Sequence, residues 1–262
     1  MSHQQLSVFI TTYNNGSTLR RCIESVGFAD EVVVLDSFST DETVELARSL
    51  GCRVEQQAFA GYGPQKQAAL EMTTHRWVLL LDADEALTES AQQRIANLLS
   101  SEPDAAGYRL PRIEQMFWRM QSRKSRLNDY LRLFDKTRGR ISKMPVHAAP
   151  EVDGPVRFLD APFHHYGEAD IHTKVAKING YSSGLVRDKV ARGVRGARLR
   201  MVFYPGFFFL KTYLGKRQFV NGWAGFIASV IGAGYVFLKY AKLYEHRRRA
   251  ELGLPPIDHP LS

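Results

Sequence analysis

Three stretches of the chain are apolar without helical spacing: Leu6-Ser-Val-Phe-Ile-Thr-Thr, Glu31-Val-Val-Val-Leu-Asp and Trp77-Val-Leu-Leu-Leu. Runs this short, bounded by turn formers, predict buried strands. Between them the apolar residues fall three and four apart, as in Leu19, Cys22, Ile23 and Val26, and again in Val44, Leu46, Ala47 and Leu50 up to Gly51. Asn14-Asn-Gly-Ser and Ser39-Thr-Asp-Glu stand just ahead of these segments and supply turn and N-cap chemistry, so each predicts the opening of a helix. Arg53-Val-Glu reads as a weaker strand, Gly61-Tyr-Gly-Pro as a loop, Gln65 to Met72 as a short helix, and Thr88-Glu-Ser as another helix start. Strand alternating with helix predicts an α/β fold with a mostly parallel sheet and helices on both faces.

The pattern changes after residue 106. Arg112 through Arg126, with Phe117, Trp118 and Met120, is basic and aromatic and lacks clear strand alternation, which predicts a loop or a surface helix. Val175 to Val190 reads as a helix. Phe219 to Leu238 follows as twenty residues without a charge, long enough to span a bilayer of about 30 Å. Asn221, Ser229, four glycines and basic flanks (Lys216 and Arg217 before; Lys239, Lys242 and Arg247 to Arg249 after) favour a helix lying in a membrane interface over a span or a buried soluble helix.

Composition narrows the partner. The 262 residues are 44% hydrophobic and 24% charged, which excludes a disordered or fibrous chain. The net charge of +8 admits nucleic acid, an anionic membrane or a phosphorylated ligand. Its distribution is more informative. Residues 185–250 hold fourteen Lys and Arg against Asp188 and Glu245, a net of +12, which leaves the rest of the chain at −4. An acidic body with a basic, aromatic tail favours a membrane surface and speaks against a nucleic-acid binder. Cys22 and Cys52 lie inside periodic apolar segments and form neither a disulfide framework nor a zinc site. The first residues lack the basic-then-apolar layout of a secretory signal, so the chain is expected to stay in the cytosol.

In a parallel α/β sheet, ligands bind beyond the carboxyl ends of the strands. Three predicted strands end there in polar groups: Thr11-Thr-Tyr-Asn, Asp36-Ser-Phe-Ser-Thr-Asp41 and Asp82-Ala-Asp-Glu85. Taken singly, Asp36 or Asp41 is as readily a helix cap. Asp82 and Asp84 form a pair whose repulsion a hard divalent cation would relieve, and Mg²⁺ or Mn²⁺ would keep positions open for diphosphate oxygens. An EF-hand starting at Asp82 fails at Ala86, Leu87 and Gln93; the first strand lacks a Rossmann glycine pattern, and no Walker loop is present.

Val8-Phe-Ile-Thr-Thr-Tyr-Asn-Asn, Val34-Leu-Asp-Ser-Phe-Ser-Thr-Asp-Glu-Thr and Leu79-Leu-Leu-Asp-Ala-Asp-Glu, in this order, closely resemble family 2 glycosyltransferases of the GT-A fold. The resemblance continues through Gly107-Tyr-Arg-Leu-Pro-Arg, Leu131-Arg-Leu-Phe, Val146-His and Glu151-Val-Asp-Gly-Pro-Val to Tyr235-Val-Phe-Leu-Lys-Tyr-Ala-Lys-Leu-Tyr-Glu. The subgroup it is most similar to is the bacterial lipopolysaccharide core enzymes. It implies a catalytic domain over 1–168, with a nucleotide-sugar half (1–105) and an acceptor half (106–168), and a helical, basic, membrane-associating extension over 169–262.

The resemblance further implies an inverting, metal-dependent transferase that moves a hexose such as glucose from a UDP-sugar to a lipid-linked glycan such as lipopolysaccharide inner core, at the cytoplasmic face of the inner membrane. Thr11, Tyr13, Asn14 and Asp36 would hold the nucleoside, with Asp41 fixing their loop. Asp84 would ligate the metal and Asp82 would meet the ribose or the metal. Lys66 would stand near the donor, or else be a solvated helix lysine. Asp129 would be the general base, with Asp135 and Glu151 as substitutes. His147 would reach the metal or diphosphate. Arg132 would bind phosphate, or pair with Asp129, and Glu151 would contact diphosphate or acceptor. Arg112 through Arg126 would lie on the acceptor side. One departure stands out: the subgroup's Glu after Val-His is Ala148 here, which keeps open a non-catalytic glycan- or lipid-binding adaptor of the same fold.

Overall fold

The computed structural model describes residues 3–142, 148–167 and 169–255. The chain forms two units, Met1–Ile113 with Asn128–Gly167, and Glu114–Leu127 with Glu168–Ser262. The second unit thus takes a short excursion from the middle of the region expected to be catalytic.

The first unit opens with β1 (Leu6–Thr12), α1 (Gly16–Glu24), β2 (Glu31–Asp36), α2 (Thr43–Ser49), β3 (Arg53–Gln56), α3 (Tyr62–Met72) and β4 (Trp77–Asp82). It continues with β5 (Glu85–Leu87), α4 (Glu89–Leu99), β6 (Gly107–Met116), β7 (Arg119–Met120), β8 (Asn128–Asp135), β9 (Gly139–Ile141), β10 (Pro150–Val152), β11 (Val156–Phe158) and β12 (Phe163–His165), where β7 and the end of β6 belong to the second unit. The main sheet runs β3-β2-β1-β4-β8-β6-β12-β5, with β11 added to β6. Its first four strands are parallel, as the alternating pattern predicts. Beyond β4 the sheet is mixed: β8 runs antiparallel to β4 and to β6, and β12 to β5.

β1 and β4 are apolar on both faces because helices cover both faces. Val8, Ile10, Leu79 and Leu81 enter one core with Leu19, Cys22 and Ile95, while Phe9, Val78 and Leu80 enter the other with Ala69 and Leu70 of α3. α4 starts as expected, with Thr88 accepting a hydrogen bond from the Ala91 amide.

Two elements differ from their sequence-based expectation. The helix expected to open at Ser39 begins at Thr43, because the Ser39 amide and hydroxyl both donate to Asp36 and hold the chain in a loop. The stretch from Arg112, read as a loop or helix, continues β6 to Met116 and turns at Phe117 into β7. Phe117 takes a positive φ of 57° at this turn, and its ring is buried in the second unit.

The second unit holds α5 (Ile171–Ala191), α6 (Ala197–Leu210) and α7 (Gly222–Glu251). α6 is followed by a π-helical turn over Lys211–Gly215 and α7 is preceded by a 3-10 turn over Gln218–Asn221. Met116 and Phe117 pack with Ala224, Ile227 and Ile231 of α7. Val236, Tyr240 and Leu243 join Ala197 in a second small core.

Candidate active site at the strand ends

Register brings the sequence-predicted residues to one rim. Thr12 pairs with Asp36 across β1 and β2, and Thr11 pairs with Asp82 across β1 and β4. Asp36 is buried, and its carboxylate accepts from the Ser39 amide and hydroxyl and from Gln56 Nε2. Asn14, at φ 52°, donates its amide to Ser39 Oγ and accepts the Thr40 amide on Oδ1, so the loops after β1 and β2 are tied together. Asp41 accepts the Gly16 amide and the Thr43 amide and hydroxyl; these hydrogen bonds, the Thr43 hydroxyl first among them, lower its pKa. Tyr13 is left exposed.

Asp82 ends β4 inside a network of charges. Lys66 Nζ lies 2.5 Å from Asp82 Oδ1, so Lys66 is a buried ion-pair partner rather than a solvated helix lysine. Arg132 Nη2 lies 3.3 Å from Asp82 Oδ2 and 2.6 Å from Glu85 Oε1. Glu85 also accepts the Asp82 amide at 3.0 Å and stands 3.7 Å from Arg112 Nη1. Burial would raise the Asp82 pKa, but the charges of Lys66 and Arg132 more than reverse this and hold the carboxyl well below its usual range. Burial pushes Glu85 up to about 7, with the Arg132 charge opposing and the Asp82 charge adding.

Arg132 reaches this network through an irregularity in the sheet. Tyr108 pairs with Leu133 but Arg109 pairs with Leu131, so Arg132 is an extra residue on β8. As a result Leu131 packs in one core and Leu133 in the other, although strict alternation would put both on one face. The guanidinium also sits over Phe163, 5.2 Å from the ring centre, and its Nε has no hydrogen-bond partner among the described residues.

Asp84 faces His165: Oδ2 and Nε2 are 3.4 Å apart, and the Tyr166 amide donates to the Asp84 carbonyl. This is direct carboxylate–imidazole contact distance, and it is also near the roughly 3.0 Å between two ligands held at right angles about 2.1 Å from one ion, so the two side chains could hold a divalent cation. Among the described residues no cluster of three or more His, Cys, Asp or Glu side chains is arranged for a metal.

Other expected participants are paired with other side chains. Asp129 pairs with Arg109, Nε to Oδ1 at 2.5 Å, and not with Arg132. Asp135 is buried against Arg76 and Thr137. Glu151, on β10, pairs with Arg140. His147 lies outside the described residues. Sequence reasoning missed Glu85, Arg112 and His165 as members of the site. The available signals were the Glu directly after Asp-Ala-Asp and the paired His164-His165.

The sequence matches the family model "Glycosyl transferase family 2" over residues 7–150. The chain belongs to this family. The lipopolysaccharide core biosynthesis glycosyltransferase LpsC of Rhizobium meliloti is 31% identical over 98% of this chain and 97% of that protein. An uncharacterized glycosyltransferase of Rickettsia typhi is 34% identical over 92% of this chain and 87% of its own length. Among solved structures, Staphylococcus aureus TarS 1–349 aligns over 94% of this chain and 92% of that one at 14% identity and a TM-score of 0.47. Mycobacterium tuberculosis glucosyl-3-phosphoglycerate synthase, in complex with Mn²⁺, UDP and phosphoglyceric acid, aligns over 43% and 44% at 23% identity and a TM-score of 0.36. The glycosyltransferase thus has the GT-A fold of its family, with Asp82-Ala-Asp84 at the end of its fourth strand and a long apolar helix near its C-terminus.

Proposed function

We propose that this glycosyltransferase moves a hexose such as glucose from a UDP-sugar to a lipid-linked glycan such as lipopolysaccharide inner core, with inversion, at the cytoplasmic face of the inner membrane. The observation that carries the reading is the shared rim formed by Asp36, Thr11 and Asp82 through strand register, with Asp84 and His165 spaced for one cation beside it.

In this reading Thr11, Tyr13, Asn14 and Asp36 receive the nucleoside. Their loops are already cross-linked by Ser39 and Thr40, so little ordering remains to be done when the donor binds. Asp84 and His165 would hold Mg²⁺ or Mn²⁺, and the ion would supply positive charge against that growing on the departing diphosphate. Lys66 and Arg132 place two positive charges at Asp82 and orient it. Asp129 takes the proton of the attacking acceptor hydroxyl, exchanging its contact with Arg109 for one with the hydroxyl. The name of LpsC supports the acceptor class.

A thermal-shift panel of UDP-glucose, UDP-galactose, UDP-N-acetylglucosamine, GDP-mannose and ADP-heptose with and without Mn²⁺ tests the donor site. Metal-dependent stabilisation by a UDP-sugar, lost in Asp84→Ala, is expected. No stabilisation by any of the five would overturn it. Slow donor hydrolysis without acceptor distinguishes an active transferase from the adaptor that Ala148 leaves open.

A further inference from the structure

α6 carries its apolar residues outward. Leu199, Val202, Phe203, Phe207, Leu210 and Leu214 share one side of α6 and the turn after it, each three or four positions from another of the set, and all are exposed, Phe207 at 68%. An ordinary surface helix shows its polar face there. The stripe continues into α7 through ring contacts: Phe209 stacks on Tyr213, both meet Phe226, and Phe226 meets Trp223, which is 75% exposed.

The partner is selected by charge. No Asp or Glu occurs between Asp188 and Glu245, whereas Arg198, Arg200, Lys211 and Arg217 border the stripe at both ends. An extended apolar surface with cationic margins and no acidic residue matches an anionic bilayer.

The contacts of α7 decide its orientation. At its start, buried Asn221 accepts the Ser122 amide on Oδ1 at 2.7 Å and Arg119 Nη1 on its carbonyl at 3.2 Å, and the Lys216 carbonyl accepts the Arg126 amide. Toward its far end, Lys242 Nζ donates to Asn179 and Ser183 of α5, and Arg247 to the Val194 carbonyl. α5 packs along α7 and carries Lys174, Lys177, Arg187, Asp188 and Lys189, so a spanning α7 would draw these charges into hydrocarbon. α6, with fourteen residues and Pro205, is about 21 Å long and too short to cross beside it. One helix, 218–251, is long and apolar enough to span by composition among the described residues; its polar partners and the charges of α5 argue against a span.

We infer that the outward stripe of α6 and the Trp223–Phe226 edge of α7 insert together, in the plane of the membrane, into the interface of an anionic bilayer. The inference rests on the proposed lipid-linked acceptor and names the surface that brings the enzyme to it.

The test is co-sedimentation of the full chain with vesicles of phosphatidylcholine alone or with about 30% phosphatidylglycerol. The wild type is compared with Phe203→Glu/Phe207→Glu and with Lys211→Glu/Arg217→Glu. The expected result is binding to anionic vesicles, weakened at least about tenfold by either pair, the apolar pair also removing residual binding to neutral vesicles. UDP-sugar and Mn²⁺ stabilisation remains at the wild-type level in both variants, which separates failure of this inference from failure of the donor site. Absence of vesicle binding by the wild type, equal binding by the Phe variant, or a lipid-free dimer that Phe203→Glu/Phe207→Glu dissociates would overturn it, the last by assigning the face to a second copy.

Discussion

Arg132 meets Glu85 at 2.6 Å where both side chains are nearly closed to solvent. An ion pair in this position costs desolvation on both sides and holds because further partners complete it: Asp82 on the arginine, and the Asp82 amide and Arg112 on the glutamate. The pair therefore positions Asp82 and cannot be dismantled from one side alone.

Arg132→Met leaves Glu85 and Asp82 with less compensation in a buried site. We expect a loss of about 3–5 kcal/mol in stability, read by urea denaturation. Arg132→Lys recovers only part of it, since a single ammonium cannot reproduce the fork that reaches both carboxylates.

His165→Ala removes one of the two side chains assigned to the cation without touching the core. The Mn²⁺ concentration needed for half-maximal stabilisation by UDP should rise by at least about tenfold. Stability without ligand should stay within about 0.5 kcal/mol. An unchanged metal requirement would remove His165 from the site.

Asp135 is a structural carboxylate. Burial would raise its pKa, but hydrogen bonds from Thr137 and Arg76, with the Arg76 charge, bring it below its ordinary value. Its proton binds less well in the folded chain than in the unfolded one, so its stabilisation is complete above the ordinary value near pH 3.9 and is lost as pH falls through the lowered one. Asp135→Asn should cost about 1–3 kcal/mol at pH 7. The gap from wild type should close as the pH is taken below about 4, measured by denaturation across pH.

Two glycines of α7 make a matched pair. A Cβ on Gly225 would stand 2.0 Å from the Gln218 carbonyl oxygen, whereas one on Gly234 meets nothing within 4 Å. Gly234→Ala should stabilise the helix by about 0.5–1 kcal/mol. Gly225→Ala should displace the turn that holds Asn221 and lower the thermal midpoint.

Much of this was legible in the residues. β1, β2 and β4 were readable as continuous apolar runs because both their faces are covered, and the polar groups ending them stand where parallel strands leave a crevice. The region from Arg112 to Met116 was not, because three of its five residues, Arg112, Glu114 and Gln115, are charged or polar: Arg112 goes to Glu85 and Tyr130 instead of to water. Ser39 departs from its helix-capping pattern for a similar reason. Its side chain can cap a helix or bind Asp36, and only the neighbouring strand decides which.

By itself the sequence determined the strand-end carboxylates Asp36, Asp82 and Asp84, the family that their order identifies, and the basic, apolar tail, since each of these is a local pattern of residue types. Tertiary structure alone decided that Lys66 is buried on Asp82, that a bulge in β8 aims Arg132 at Glu85, that His165 arrives opposite Asp84, and that α6 turns its apolar stripe outward. The reason is physical. A carboxylate's place at a strand end follows from its near neighbours in the chain, whereas its partners come from strands and helices some 16 to 81 residues away, brought there by sheet register and packing.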